Sequence, residues 1–275
     1  MKSANHISNQ AKTSISPFLG TCLLLLLGCS PKMQDAFDRL NSSSNWQIAF
    51  SDSCTEDWKT HWFLDGEIAE VENSDKGMDF SAGPENRNDA HHAVLWTWES
   101  FEGDVKIEYT YTRTDHQIVN VNILFIQATG IGEGGFEKDI SEWNDYRKVP
   151  TMSKYWKHMN LVHISYAAFP MVNEDPENDY IRVRRYPATE NIPFKETKIP
   201  PSFERTGLFL PNVPYKMTWI KTKNQLLLRV EGDGKQKKYA WDLSRFPAVT
   251  EGRIGLRHMF TRSARYRDIK IYVRK

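Results

Sequence analysis

Apolar residues recur at every second position through most of this chain, and that period constrains its fold more than any other feature. A strand sends alternate side chains to opposite faces, whereas a helix needs apolar repeats three and four residues apart. Val105, Ile107, Tyr109 and Tyr111 alternate with Lys106, Glu108, Thr110 and Thr112, which describes a half-buried strand. Val119, Val121, Ile123 and Phe125 make the next, with Asn120 and Asn122 on its opposite face. The same pattern predicts strands over Ala93–Trp98, Asn160–Phe169, Tyr180–Tyr186, Tyr215–Thr222, Gln225–Glu231, Gly252–Met259 and Tyr266–Arg274. Turn residues separate them, as at Asp65-Gly66, Glu102-Gly103-Asp104, Glu231-Gly232-Asp233-Gly234 and Glu251-Gly252. Many short strands without long helical periodicity predict an all-β sandwich or jelly roll of two sheets. Helical stretches are expected only near Glu137–Tyr146 and Ser244–Phe246. The stretches Thr129–Met159, Pro170–Asp179 and Pro187–Pro214 break the rhythm and read as long loops, a class that is usually functional or disordered.

The first 45 residues lie outside this pattern. Lys2 and Lys12 precede the apolar run Cys22-Leu23-Leu24-Leu25-Leu26-Leu27, and no acidic residue appears before Asp35. A basic start, a short apolar stretch and a small residue at the cut make an export signal over residues 1–28. That run is too short to span a bilayer, which takes roughly 20 apolar residues. Leu26-Leu27-Gly28-Cys29 has the form of a lipobox, which makes Cys29 the expected acylation site and mature N-terminus. Residues 29–45, with Ser42-Ser43-Ser44, read as a polar tether. Residues 46–275 then suit one sandwich domain. The expected location is the cell envelope, on the outer membrane, with the exposed face left open and membrane contact only through the lipid.

Charge and cysteine content narrow the function classes. A formal net charge of +1 implies no field for nucleic acid. Of three cysteines, Cys22 is lost with the signal and Cys29 is acylated, so Cys54 alone remains. One thiol forms neither an internal disulfide nor a cysteine-based metal site. No His-Glu-x-x-His motif, Asp-rich calcium loop, Gly-x-Ser-x-Gly elbow or phosphate loop occurs. Gly130, Gly132 and Gly135 imitate a dinucleotide fingerprint but lack the βαβ context it needs. No cofactor is therefore expected, with room left for a structural calcium ion, and the protein is expected to be a monomer. Nine Trp and 12% aromatic residues fit a sugar-binding protein and equally a large β core.

The segment Ser153–Tyr166 carries the best candidate site. If Val162, Ile164 and Tyr166 face between the sheets, His163 and Ser165 face outward with Leu161. In the strand Ile181-Arg182-Val183-Arg184-Arg185, Arg182 and Arg184 project outward in the same way. A histidine, a hydroxyl and two guanidiniums on neighbouring strands suit a carboxylated sugar, because arginine binds carboxylates bidentately and histidine moves protons near neutral pH. Such residues also serve as hydrogen-bonded or solvated parts of an ordinary sheet face. Tyr155, Trp156 and His158 precede the strand as further candidates. His91 and His92 are adjacent, so at most one reaches a given site, and His92 is the candidate. Trp96 and Trp98 suit either the core or sugar stacking. A retaining glycosidase needs two carboxylates about 5 Å apart, and few outward acidic pairs occur, so hydrolysis is not favoured.

Three stretches, His91–Arg113, Met159–Tyr166 (M-N-L-V-H-I-S-Y) and Gly252–Tyr272, resemble the YesU-like family over roughly residues 46–275. The resemblance implies a concanavalin A-like jelly roll of two antiparallel sheets, encoded beside polysaccharide-degrading enzymes. It implies a uronate-containing oligosaccharide as partner, such as a rhamnogalacturonan or ulvan fragment. It also makes a β-eliminating activity, a dehydratase or lyase, the leading expectation. Elimination needs a cation for the carboxylate, a base for the C5 proton and an acid for the departing oxygen. Arg184 would neutralise the carboxylate, while His163 and Tyr155 would exchange the proton. Arg182, Ser165, His92, Trp156 and His158 would bind substrate. The alternatives are a non-catalytic glycan-binding surface lipoprotein and a glycoside hydrolase.

Overall fold

The computed structural model describes residues 31–274. The export signal and the acylation site Cys29 lie outside the described residues. Helix α1 (Pro31–Asn41) comes first, followed by β1 (Gln47–Asp52), β2 (Trp62–Asp65), β3 (Glu70–Ser74) and β4 (Gly77–Ser81). The chain continues through β5 (Ala93–Thr97), β6 (Phe101–Glu102), β7 (Asp104–Arg113) and β8 (Asn122–Gly130). A 3-10 segment, Ile140–Arg147, and helix α2 (Met152–His158) lead into β9 (Met159–Ala168) and β10 (Tyr180–Tyr186). The last strands are β11 (Lys198–Glu204), β12 (Pro214–Lys221), β13 (Gln225–Gly232), β14 (Lys235–Asp242), β15 (Glu251–His258) and β16 (Ser263–Arg274).

These strands form two antiparallel sheets, as the alternation predicts. One runs β14-β13-β12-β7-β16-β4-β3 with β1 also on β16; the other runs β11-β10-β9-β8-β15-β5-β2 with β6 also on β15. Between them lies the main core, which takes one set of alternate residues from each strand. Val105, Ile107, Tyr109 and Tyr111 of β7 meet Val162, Ile164 and Tyr166 of β9 there. Burial of such side chains at about 25 cal/mol per Å² holds the sheets together. Among the described residues Cys54 is a free, buried thiol, and no disulfide contributes there.

The second sheet is buried on both faces. Its outer residues, among them Trp96, Phe125, Leu161 and Tyr186, pack against Trp143 and Tyr155 from the connection between β8 and β9. That connection therefore belongs to the fold as a covering layer. Asp65 lies at its centre, 1% exposed. Its carboxylate accepts bonds from Arg147 Nε at 2.6 Å, Trp96 Nε1 at 2.8 Å, Tyr155 Oη at 2.8 Å and Asn144 Nδ2 at 2.6 Å.

Three expectations need correction. The tether expected over residues 29–45 contains α1, whose Phe37 is buried against Ile220 and Leu227 on the outer face of the first sheet. The strand expected from Val119 begins at Asn122 and runs on to Gly130, because Asn120 adopts a left-handed φ of 66°. The proline-rich stretch 187–214 contains β11, which lies at a sheet edge where proline's missing donor costs no ladder bond.

Candidate functional site

The outer face of β8, β9 and β10 forms the floor of a cavity of about 430 Å³, within the range typical of small-molecule sites. Strand register builds this floor in two rows. Ile123, Ser165 and Arg182 are consecutive cross-strand partners, and so are Phe125, His163 and Arg184. The period-2 argument thus brings His163, Ser165, Arg182 and Arg184 to one place, as expected. Helix α2 adds Met152 and Trp156 to the wall, while Phe194 enters from the connection between β10 and β11. His92 and Asp89 line the opposite side, with Phe169 and Phe260 from loops.

The two arginines differ in how they are held. Arg182 donates to Ser202 Oγ at 3.2 Å and pairs with Glu204 at 3.3 Å, its guanidinium lying 4.2 Å from the Tyr180 ring centroid. Arg184 is held by neutral acceptors, Phe194 O at 2.9 Å and Thr197 Oγ1 at 3.3 Å, and it stacks on the Phe194 ring at 4.2 Å. Among the described residues no carboxylate pairs with Arg184. Burial lowers its pKa first of all, yet a guanidinium stays charged near neutrality. Ser165 Oγ also has no hydrogen-bond partner among the described residues. The cavity therefore presents an uncompensated cation beside an open hydroxyl, under an aromatic wall where the Trp156 and Phe194 rings lie 4.4 Å apart.

Both histidines at the cavity are buried and neutral. His163 is 3% exposed, and burial, reinforced by Arg184 and Arg257, holds its pKa well below the usual histidine range. Burial pushes the His92 pKa down to about 2. Its Nε2 faces Asp89 Oδ1 at 3.3 Å, and its ring packs on Phe260 at 4.6 Å. Neither Nδ1 finds a partner among the described residues. His91 turns away to Glu85, as adjacent histidines must.

Tyr155 and His158 are not part of this cavity. Tyr155 is fully buried in the covering layer with its hydroxyl committed to Asp65, and burial raises its pKa well above the usual phenol value. A phenol so placed neither gives nor takes a proton at the cavity, so its expected catalytic role is corrected to a structural one. His158, at the end of α2, stacks on Phe136 at 3.7 Å, while Trp156, two residues earlier, lines the cavity. Trp96 is a core residue, and Trp98 is exposed but does not line the cavity. Asp89 is the sole carboxylate among the described lining residues, so the acidic pair required for hydrolysis is missing there. No group of three or more His, Cys, Asp or Glu among the described residues is placed to hold a metal ion. Met152 and Phe194 had no period-2 signal because a helix and a loop supply them, and Phe169, expected to end a strand, lies just beyond β9.

A family model described as a domain of unknown function, DUF1961, matches residues 51–271. Among solved structures, a protein of unknown function with a galectin-like fold from Bacillus subtilis is similar at 18% identity and a TM-score of 0.62, covering 84% of this chain and all of that one. The exoplasmic/lumenal domain of VIP36, in its Ca2+/Man3GlcNAc-bound form, is similar at 10% identity and a TM-score of 0.52, covering 82% of this chain and 89% of that one. Lectin II from Ulex europaeus is similar at 8% identity and a TM-score of 0.51, covering 81% and 96%. These likenesses establish the lectin-like jelly roll. No curated protein matches the chain significantly.

Proposed function

The chain belongs to the DUF1961 family, and from that premise we propose that it is a glycan-binding protein whose cavity takes a carboxylate-bearing saccharide. One observation carries the reading: Arg184 is a stacked guanidinium that lines the cavity and is held only by neutral acceptors. A ligand carboxylate would supply the missing counter-charge through a bidentate pair. Trp156 and Phe194 offer apolar faces to a sugar ring, and Ser165 offers a hydroxyl partner. The lectin-like neighbours, one of them carrying a bound oligosaccharide, support a saccharide as ligand. Resemblance to the YesU-like family supports a uronate in particular, and Cys29 would hold the protein at the cell envelope.

Beside the family resemblance, a β-eliminating activity has one structural support, the unpartnered His163 Nδ1 at the cavity floor. It lacks the proton donor that Tyr155 was expected to be. Binding is therefore the better reading. Calorimetric titration with uronate oligosaccharides and their carboxyl-reduced counterparts tests it, with absorbance near ~235 nm followed in parallel for an unsaturated uronate. Saturable binding of the acidic forms alone, without a rise in absorbance, is the expected result. Arg184→Ala should weaken that binding about 10- to 100-fold, the effect of losing a charged hydrogen-bond partner. Equal affinity for the reduced forms overturns carboxylate recognition, and a steady rise in absorbance replaces binding with elimination.

A further inference from the structure

Phe169 lines a second cavity as well as the first. This one measures about 280 Å³ and lies among the end of β7, the loop 170–179 and the segment 205–210. Arg113, the last residue of β7, lines it while only 5% exposed. Its guanidinium stands 5.4 Å from the Phe169 ring centroid. Among the described residues no carboxylate pairs with it, and its buried Nε finds no acceptor.

The charges around Arg113 are already committed elsewhere. Arg205 pairs with Asp175 at 2.6 Å and Glu177 at 3.4 Å, and Lys235 pairs with Asp233 at 3.0 Å. The Asp179 carboxylate accepts from the Thr206 hydroxyl and from the Gly207 amide at 3.1 Å. Arg262, whose guanidinium lies 5.7 Å from the same Phe169 ring, pairs with Asp115 at 2.9 Å and still leaves its buried Nη2 without an acceptor. A buried guanidinium without an acceptor is costly, and an anion entering the cavity would relieve that cost. Burial and the nearby Arg262 lower the Arg113 pKa, but arginine remains cationic at working pH.

We propose that this cavity is an anion subsite in which Arg113 takes the carboxylate of a second acidic sugar unit, with Phe169 as the wall shared with the first cavity. The identity of the ligand rests on reading the first cavity as a uronate site. The demand for an anion rests on Arg113 itself. An extended acidic glycan crossing Phe169 would place one charged unit in each cavity, which makes affinity depend on chain length.

Wild-type protein labelled with ¹⁵N in arginine, titrated with galacturonate and separately with galactose, tests the subsite through its Nε–H resonances. Spectra of Arg113→Lys and Arg184→Lys assign the two signals. Saturable movement of both with galacturonate, and of neither with galactose, is expected. An Arg113 signal that stays in place while that of Arg184 moves overturns the subsite and leaves the first cavity's reading intact. Movement of Arg113 alone supports the anion subsite and overturns that reading instead. Movement of neither overturns both, and an equal response of Arg113 to galactose overturns charge recognition. Arg113→Gln should then weaken binding of tetragalacturonate about tenfold, the equivalent of one charged hydrogen bond; unchanged affinity in a folded variant counts against the subsite.

Discussion

Arg184 and Asp65 meet the cost of a partly or fully buried charge in opposite ways. Asp65 gathers four donors, one of them the Arg147 cation, so its charge is satisfied within the protein. Arg184 is oriented by neutral oxygens and has no carboxylate partner among the described residues. Asp65→Asn would leave the fully buried Arg147 without its counter-ion, a loss of about 3–5 kcal/mol. Tyr155→Phe removes one bond to that carboxylate and should cost about 1–2 kcal/mol while leaving glycan affinity unchanged. Denaturant melts and calorimetry separate the two effects; lost affinity with intact stability in Tyr155→Phe would return that phenol to the ligand site.

Buried histidines give the protein an acid sensitivity that can be signed. Burial lowers the pKa of His92 to about 2 and of His258 to about 3, from an ordinary 6.5, and holds His163 well below the usual range. Each takes up a proton in the unfolded chain as pH falls through 6.5, whereas in the fold each stays neutral. The unfolded state then binds more protons, so stability is full above 6.5 and falls below it by about 1.4 kcal/mol per pH unit for each such group. Denaturation midpoints should drop steadily between pH 6.5 and pH 5, before most carboxylates titrate. A flat profile across that window would mean that these histidines are protonated within the fold.

At the scale of elements, α1 shows how a short polar-looking segment acquires structure from its partner. An isolated helix of 11 residues is marginal in water. Here Phe37 enters an apolar patch of Ile220 and Leu227, Asp38 pairs with Lys238 at 2.7 Å, and the Trp46 indole donates to Leu40 O at 2.7 Å. Phe37→Ala should detach the helix alone. Hydrogen exchange would then show lost protection over residues 35–41, with a cost of no more than about 3 kcal/mol because the site can undock without collapse of the core. Retained protection would mean that packing of Phe37 is not what holds the helix.

At the scale of the molecule, α1 and the cavity over β8, β9 and β10 occupy opposite outer faces of the sandwich. Ile220 and Leu227 point away from the core on the first sheet, while His163 and Arg184 point away from it on the second. Pro31 begins α1 two residues after Cys29, so a lipid on Cys29 would keep the α1 face near the bilayer and leave the cavity turned outward. Cys29→Ser should therefore shift the protein from membrane to soluble fractions without changing its affinity for glycan. Continued fractionation with membranes would place the anchor elsewhere.

The period of two was enough to read the sandwich class, nine of the sixteen strands with their inner and outer residues, and the outward aim of His163, Ser165, Arg182 and Arg184, but not β1–β4, β6, β11 or β14. These are consequences of backbone geometry, which acts locally and leaves its mark wherever one face of a strand is apolar and the other polar. Register is different, because only pairing of distant segments decided that Arg184 stands opposite His163 and Arg182 opposite Ser165. The roles of Tyr155 and His158 were also decided in three dimensions, by Asp65 some 90 residues away for the first and Phe136 for the second. Aromatic and titratable side chains in a connecting segment carry no periodicity that says which way they turn. Whether a polar group reaches ligand or lies in the interior depends on what packs over it, and that is settled by contacts between segments far apart in the chain.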